Sequence, residues 1–269
     1  MNAATYEKFR SLIHRRMGID IGETKQSLIE SRLNKRMRSK LIQSYEDYYK
    51  LLMKDHSEWP HFENIITTNH TYFFREQNQF YFLLKDFVEK TEANYFANKR
   101  CVLWCAASSS GEEPYSILMT LARRLNLEKL HPKLEVLATD LSQEILEKAV
   151  RGIYPDKELM KIDPMDKLKF FDEVGENNLQ VKKNIQKWVA FNKMNLTHFP
   201  YRMKGPFEYI FIRNVMIYFD SQTVIRILKE CHRLLAPNGL IFLGSSESLP
   251  RELLDLYSPM KESIYRAKK

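Results

Sequence analysis

Residues 103–117, LWCAASSSGEEPYSI, constrain the fold more than any other stretch of the chain. A short apolar run that reads as a buried strand passes into consecutive small residues, Ala106 to Gly111, and then into a helix start. Little side chain at the carboxyl end of a first strand lets a ligand approach the backbone closely, and open α/β sheets bind ligands there.

The rest of the carboxyl-terminal part fits such a sheet. Short apolar runs at Cys101 to Cys105, Leu134 to Thr139, Trp188 to Asn192, Tyr209 to Ile212 and Leu240 to Leu243 alternate with helical stretches, and a last strand is expected around Ser263 to Lys268. One interval breaks the alternation. Between Lys167 and Lys187 the apolar residues flank the turn VGENN, which predicts a small antiparallel insertion.

The first sixty-odd residues lack a strand pattern and predict short amphipathic helices. From Lys25 to Lys40 the residues Ile29, Leu33, Met37 and Leu41 recur at a spacing of four and should form one buried stripe, with Lys25, Arg32, Lys35 and Arg36 on the adjoining face. Further helices are expected at Tyr45 to Met53, Trp59 to Thr68 and Gln77 to Lys90; after Lys99 the texture changes, and a domain boundary is expected near Thr91 to Lys99.

Composition narrows the setting. With 44% hydrophobic and 28% charged residues the chain has the make-up of a folded globular protein, and no apolar run approaches the roughly 20 residues that cross a bilayer. The amino terminus lacks the apolar stretch of a signal peptide, so a cytoplasmic location is expected. The three cysteines, Cys101, Cys105 and Cys231, have no C-x-x-C spacing and read as buried free thiols, with no metal site. A net charge of +8 favours an acidic partner: nucleic acid, an anionic membrane or an acidic protein surface.

Four segments carry chemistry. In the first, Glu112 and Glu113 stand where a phosphate-binding loop would place free N–H groups and a lysine. Two carboxylates repel pyrophosphate and suit a cationic ligand such as the amino group or sulfonium of S-adenosylmethionine; alternatively they complement the helix dipole, with Pro114 in the first turn. The second, LEVLATDLSQEILEKAV, ends a strand in Asp140, which can accept ribose hydroxyls or, with Ser142, cap the next helix. The third, EYIFIRNVMIYFD, places Arg213, Asn214 and Tyr218 after a strand, and Asn195 and Leu196 hold the equivalent position one strand earlier; either pair can also be turn chemistry. The fourth, TTNHTYFFREQNQF, reads as a lid carrying Asn69, Thr71 and Arg75, or as an interdomain helix start with Thr71 as its cap.

Together these segments resemble the chemotaxis receptor methyltransferase (CheR) family over essentially the whole chain. TN-x-T-x-FFRE, AAS-x-S-GEEPYS, ATDLS-x-x-x-LEKA-x-x-GIY, NL and FIRNVMIYFD occur in the family's order and at about its spacing. The resemblance implies a class I (Rossmann-like) methyltransferase sheet of α/β type with a three-stranded antiparallel insertion, here about 167–187, preceded by a small all-helical domain. It divides the chain into 1–75, which docks the receptor, and 76–269, which binds the cofactor. It implies that Asn69, Thr71, Arg75, Glu113, Asp140, Asn195, Leu196, Arg213 and Asn214 contact S-adenosylmethionine, that Arg75 and Tyr218 lie nearest the transferred methyl, and that Lys25, Arg32, Lys35 and Arg36 meet the receptor's helical region. His70 and Tyr72 stand where the family pattern has an aliphatic and a small residue. The turn in FFDEVGENNLQVK is shorter and less glycine-rich than in members that grip a receptor's terminal peptide by strand addition, so no such tether is expected.

The implied reaction methylates glutamate side chains of chemoreceptors for chemotactic adaptation and leaves S-adenosylhomocysteine. A glutamate with a pKa near 4.3 is ionised at pH 7 and needs no general base, which accounts for the lack of an obvious Ser-His-Asp or Cys-His arrangement. A nucleic-acid methyltransferase competes as a reading, but the chain lacks N-P-P-Y, D-P-P-Y, C-x-x-C and RRM-like patterns, so no nucleic-acid partner is expected. A non-enzymatic cofactor-binding scaffold is the third reading, opposed by the presence of Arg75 and Tyr218. The protein is expected to act as a monomer without membrane insertion.

Overall fold

The computed structural model describes residues 1–93, 95–96, 100–130 and 134–269. Four helices come first: α1 (Ala3–Met17), α2 (Gln26–Ser39), α3 (Tyr45–Lys54) and α4 (Trp59–Ile66). Asn2 caps α1 by accepting from the Thr5 N–H, and Gly18 ends it in the left-handed region at φ 69°. The apolar stripes close on a core of Phe9, Leu33, Tyr48, Leu52 and Phe62, all buried. Ile29, Leu33 and Met37 lie in it as the periodicity predicts. Leu41 does not: α2 stops at Ser39, Leu41 turns into the left-handed region at φ 57°, and its side chain is 90% exposed.

Two carboxylates of the helical domain are buried, Glu58 and Glu63. Glu58 receives the Arg36 guanidinium at 2.6 and 2.8 Å and the Tyr48 hydroxyl at 3.0 Å, with Lys40 at 3.2 Å. Burial pushes this carboxyl up, but the hydrogen bonds from Arg36, Tyr48 and Lys40 outweigh it and hold the group below the usual range.

Helix α5 (Gln77–Glu92) leads into the sheet, and residues 94 and 97–99 of the expected domain boundary lie outside the described residues. The remaining elements are β1 (Cys101–Ala106), α6 (Glu112–Ala122), α7 (Leu127–Leu130), β2 (Leu134–Asp140), α8 (Gln143–Arg151), β3 (Ile153–Pro155), α9 (Pro164–Phe170), β4 (Phe171–Glu173), β5 (Asn178–Val181), α10 (Lys183–Gln186), β6 (Val189–Lys193), β7 (Phe207–Ile212), α11 (Ser221–Leu234), β8 (Leu235–Leu243), β9 (Tyr257–Lys261) and β10 (Ile264–Ala267). The large sheet runs β6-β2-β1-β7-β8-β10-β9, parallel from β6 to β8 and antiparallel through β10 and β9. Its central strands are buried along their length because helices cover both faces, so they read as continuous apolar runs rather than alternating ones. Strand order reverses between β1 and β7, and the loops leaving those two carboxyl ends border a crevice.

The insertion is a three-stranded antiparallel sheet, β3-β5-β4. Two strands fall inside 167–187 around the VGENN turn, where Gly175 and Asn177 adopt positive φ. The third, β3, comes from directly after α8, ahead of that interval. This small sheet fixes what lies above the crevice: Phe73 packs edge-on between Tyr154 of β3 and Phe171 of β4, at 4.9 and 5.6 Å between ring centres.

Candidate active site

One cleft gathers nearly all the predicted residues. It lies between the helical domain and the carboxyl ends of β1, β2, β6 and β7, and Asn69, Thr71, Arg75, Glu113, Asp140, Asn195, Leu196, Arg213, Asn214 and Tyr218 all line it. Lys25 and Arg32 line it too, from α2, whereas Lys35 and Arg36 do not.

The floor is the small-residue loop. Ala107 and Ser109 take positive φ, at 61° and 49°, to swing the chain from β1 to α6, and the Tyr154 hydroxyl holds the Ser110 carbonyl at 2.6 Å. Asp140, at the end of β2, accepts from the Ser109 N–H at 2.9 Å and the Ser142 N–H at 3.0 Å, with a third bond from the Leu141 N–H. A carboxylate offers about four acceptor positions, so this one retains capacity toward the cleft. Burial raises its pKa and the amide bonds oppose the rise. The Ser108 hydroxyl, also in the lining, is buried without a hydrogen-bond partner.

Glu113 and Glu112 part company. Glu113 lines the cleft and accepts from Arg213 at 2.9 Å; burial raises its pKa against the pull of Arg213. Glu112, one residue earlier on the helix, faces elsewhere and accepts from the Ser110 hydroxyl at 2.8 Å. Of the two carboxylates read from the sequence, one therefore remains for a cationic ligand.

Arg213 is the hub. Its other Nη donates to the Arg75 carbonyl at 2.5 Å and meets Glu76 at 3.2 Å, so one buried guanidinium joins the lid, α6 and the end of β7. Glu76 also accepts from Asn214 at 3.3 Å and from the N–H and hydroxyl of Ser245 at 3.1 and 3.0 Å. Asn214 turns at φ 57°, and Glu247 receives the N–H groups of Asn214, Val215, Met216 and Gly244 at 2.7–2.9 Å. Sequence reasoning named neither glutamate as a site residue. Glu76 was visible in the FFRE string; Glu247 reaches the site only because β8 returns beside β7.

The lid is anchored on both sides. Phe74 N–H donates to Ser116 at 2.9 Å, and Arg75 closes the turn by donating to the His70 carbonyl at 3.1 Å. Tyr218 is tied through its carbonyl, which accepts from the Asp20 N–H at 2.8 Å. Asn195 spends its side chain on structure: it donates to the Arg16 carbonyl at 2.8 Å and accepts from Thr197, bracing the two domains. A Cβ at Gly18 would overlap the Thr197 methyl, so glycine is what lets α1 approach this loop.

The docking candidates divide. Arg32 is half-buried in the cleft wall and donates to the Ile66 carbonyl and, at 2.6 Å, to Thr68; Lys25 is exposed at the rim. Lys35 is exposed away from the cleft, and Arg36 is engaged with Glu58. Cys101, Cys105 and Cys231 are free and buried, and among the described residues no helix is long and apolar enough to cross a membrane.

Comparison with known proteins decides the family. The model "CheR methyltransferase, SAM binding domain" matches residues 69–265, and "CheR methyltransferase, all-alpha domain" matches 4–67. The chain belongs to the CheR methyltransferase family. It is 38% identical to a chemotaxis protein methyltransferase of Escherichia coli (strain K12), over 92% of this chain and 85% of that one. A chemotaxis protein methyltransferase of Salmonella typhimurium is 34% identical, covering 100% and 92% of the two chains. Chemotaxis protein methyltransferase 1 of Pseudomonas aeruginosa is 35% identical over 98% of both. As a CheR methyltransferase the chain is an enzyme with an S-adenosylmethionine-binding domain, and the cleft suits that ligand: a buried carboxylate at Asp140, a partly exposed one at Glu113 and a polar, close-approach floor at Ser108.

Proposed function

We propose that this enzyme esterifies glutamate side chains in the cytoplasmic helical region of a chemoreceptor, giving glutamate methyl esters and S-adenosylhomocysteine. One observation carries the reading. The cleft is acidic inside, with Glu113 and Asp140, and cationic along its wall, where Lys25, Arg32 and Arg75 are in ion-pair contact with no carboxylate among the described residues. An acidic interior suits a cationic cofactor with ribose hydroxyls; a cationic wall suits a carboxylate substrate. The names of the relatives support the same substrate class.

When bound, the cofactor supplies a methyl group activated by a sulfonium. Asp140 offers its free acceptor capacity to ribose, and Glu113, held by Arg213, offers an anion to the amino group. Asn69, Thr71 and the Asn195, Leu196 and Asn214 loops supply the remaining walls. The substrate carboxylate arrives ionised, so no residue has to remove a proton. The protein contributes position and exclusion of water: α2 on one side, the lid on the other, and Tyr218 with Arg75 beside the reacting groups. In this reading residues 1–75 present the docking face, chiefly Lys25 and Arg32, and 76–269 hold the catalytic cleft. One chain supplies every wall, so a monomer suffices, and no metal enters the scheme.

Incubation of purified receptor cytoplasmic fragments with radiolabelled S-adenosylmethionine tests it. Label released as methanol by mild alkali is the expected result. Label confined to an RNA control would overturn the reading.

A further inference from the structure

The lip of the cleft opposite α2 carries a second cluster. His70, Tyr72 and Arg75 line the mouth from the lid, and the Tyr72 ring is 41% exposed. The Arg75 guanidinium lies 5.8 Å from the centre of that ring and the Lys161 ammonium 5.6 Å from it, with the His70 ring at 6.1 Å. The ring is held in place from below, because Phe73 is wedged between Tyr154 and Phe171.

Two cations share one exposed ring, and among the described residues neither is in ion-pair contact with a carboxylate, although the Arg75 charge is felt by Glu113. Nearby cations are paired: Arg123 with Asp166 at 2.5 Å and Lys167 with Asp156 at 2.8 Å. Lys161 is thus left exposed just outside the cleft lining, beside the Tyr72 ring that does line it. Across the cleft α2 repeats the composition, with Leu28 44% exposed between Lys25 and Arg32. Each lip combines an exposed apolar group with unpaired positive charge, which complements an amphipathic helix bearing carboxylates on both sides of the one that enters.

We propose that Tyr72 and Lys161 form an outer substrate subsite that receives a second acidic side chain of the receptor helix, one turn from the glutamate being methylated. The proposal rests on the receptor-methylating reading above. Residues three or four apart lie on one helix face at about 5–6 Å between Cβ atoms, so a carboxylate one turn away lands beside the mouth while its partner is inside. Tyr72 packs against the apolar part of the helix and Lys161 pairs with the flanking carboxylate.

The test uses wild type, Lys161→Glu and Lys161→Gln, with receptor cytoplasmic fragments whose acidic residues three and four positions from a methylated glutamate are changed to Gln. Lys161→Glu should raise KM for the unaltered fragment about tenfold, more at low than at high salt, with unchanged affinity for S-adenosylhomocysteine. The flanking Gln change should raise KM for wild type and leave the KM of Lys161→Gln unmoved, since the pair is already broken. A KM for Lys161→Glu within about twofold of wild type, or the same flanking effect in both enzymes, would overturn the subsite while leaving the function intact. A wild-type enzyme that methylates no receptor fragment would overturn the function itself and the subsite with it.

Discussion

Replacing Arg36 by Ala should unfold the helical domain more readily, although Arg36 shares a helix face with Arg32 and looks in sequence like a second docking residue. The structure separates them. Arg36 gives two hydrogen bonds, at 2.6 and 2.8 Å, to Glu58, whose side chain is 1% exposed. Removing one partner of a buried pair costs about 3–5 kcal/mol; Lys40 at 3.2 Å and the Tyr48 hydroxyl at 3.0 Å still partner Glu58, so we expect the loss to fall to about 2–3 kcal/mol. For a chain of this size that lowers Tm by about 5–10 °C. Arg32→Ala loses neutral acceptors only, and should cost about 1 kcal/mol. The pH dependence has a definite sign. Glu58 in the wild type is held below its unfolded value, so its stabilisation is present above about pH 4.3 and is lost as pH falls through the lower folded value. Without Arg36, burial dominates, the folded value rises above the unfolded one, and acid relieves the penalty. The gap in Tm between wild type and Arg36→Ala, followed by circular dichroism, should therefore narrow from pH 7 toward about pH 4. A gap of less than about 1 °C at pH 7, or one that widens on acidification, would refute the reasoning.

Other consequences can be checked alongside. Tyr218→Phe should lower kcat more than it weakens S-adenosylhomocysteine binding; equal losses in a calorimetric and a kinetic comparison would remove Tyr218 from the reacting centre. Glu76→Gln should weaken cofactor binding about tenfold, because Arg213 then loses one of the two carboxylates that aim it at Glu113, and titration calorimetry reads this directly. Burial raises both Glu113 and Asp140, so cofactor affinity should fall on acidification at a pH above the ordinary carboxylate range; an affinity that is flat down to about pH 4 would contradict their ionised roles. Gly18→Ala should destabilise by about 2 kcal/mol through positive φ and the overlap with Thr197, and Thr197→Gly in the same chain should recover part of the loss in a thermal melt.

What the sequence disclosed depended on how local the cause was. Strands β1 and β7 announced themselves because burial on both faces makes each a nearly continuous apolar run, and the loop after β1 was legible because close backbone approach demands small residues. The three residues of β3 between Gly152 and Asp156 offer too short a pattern, and their pairing partner β5 lies beyond α9. Leu41 satisfied the period but fell past the end of α2, where the chain turns out of the helix. The site shows the same division. Asn69, Asp140 and Arg213 could be named from motifs at strand ends and the lid, yet Glu247 enters only through the return of β8, and the difference between Arg32 and Arg36 lies in Glu58, which arrives from beyond α3. Glu112 and Glu113 are chemically alike in sequence; the rotation of about 100° per helical residue sends one to the cleft and the other to Ser110.

The most direct test of the central claim is residue-level mass spectrometry of a receptor cytoplasmic fragment after incubation with the enzyme and methyl-deuterated S-adenosylmethionine. The account predicts deuterated methyl groups on glutamate side chains, removed by mild alkali and absent when Asp140→Ala enzyme is used. Label on lysine, arginine or backbone amines, or no label despite tight S-adenosylhomocysteine binding, would contradict it.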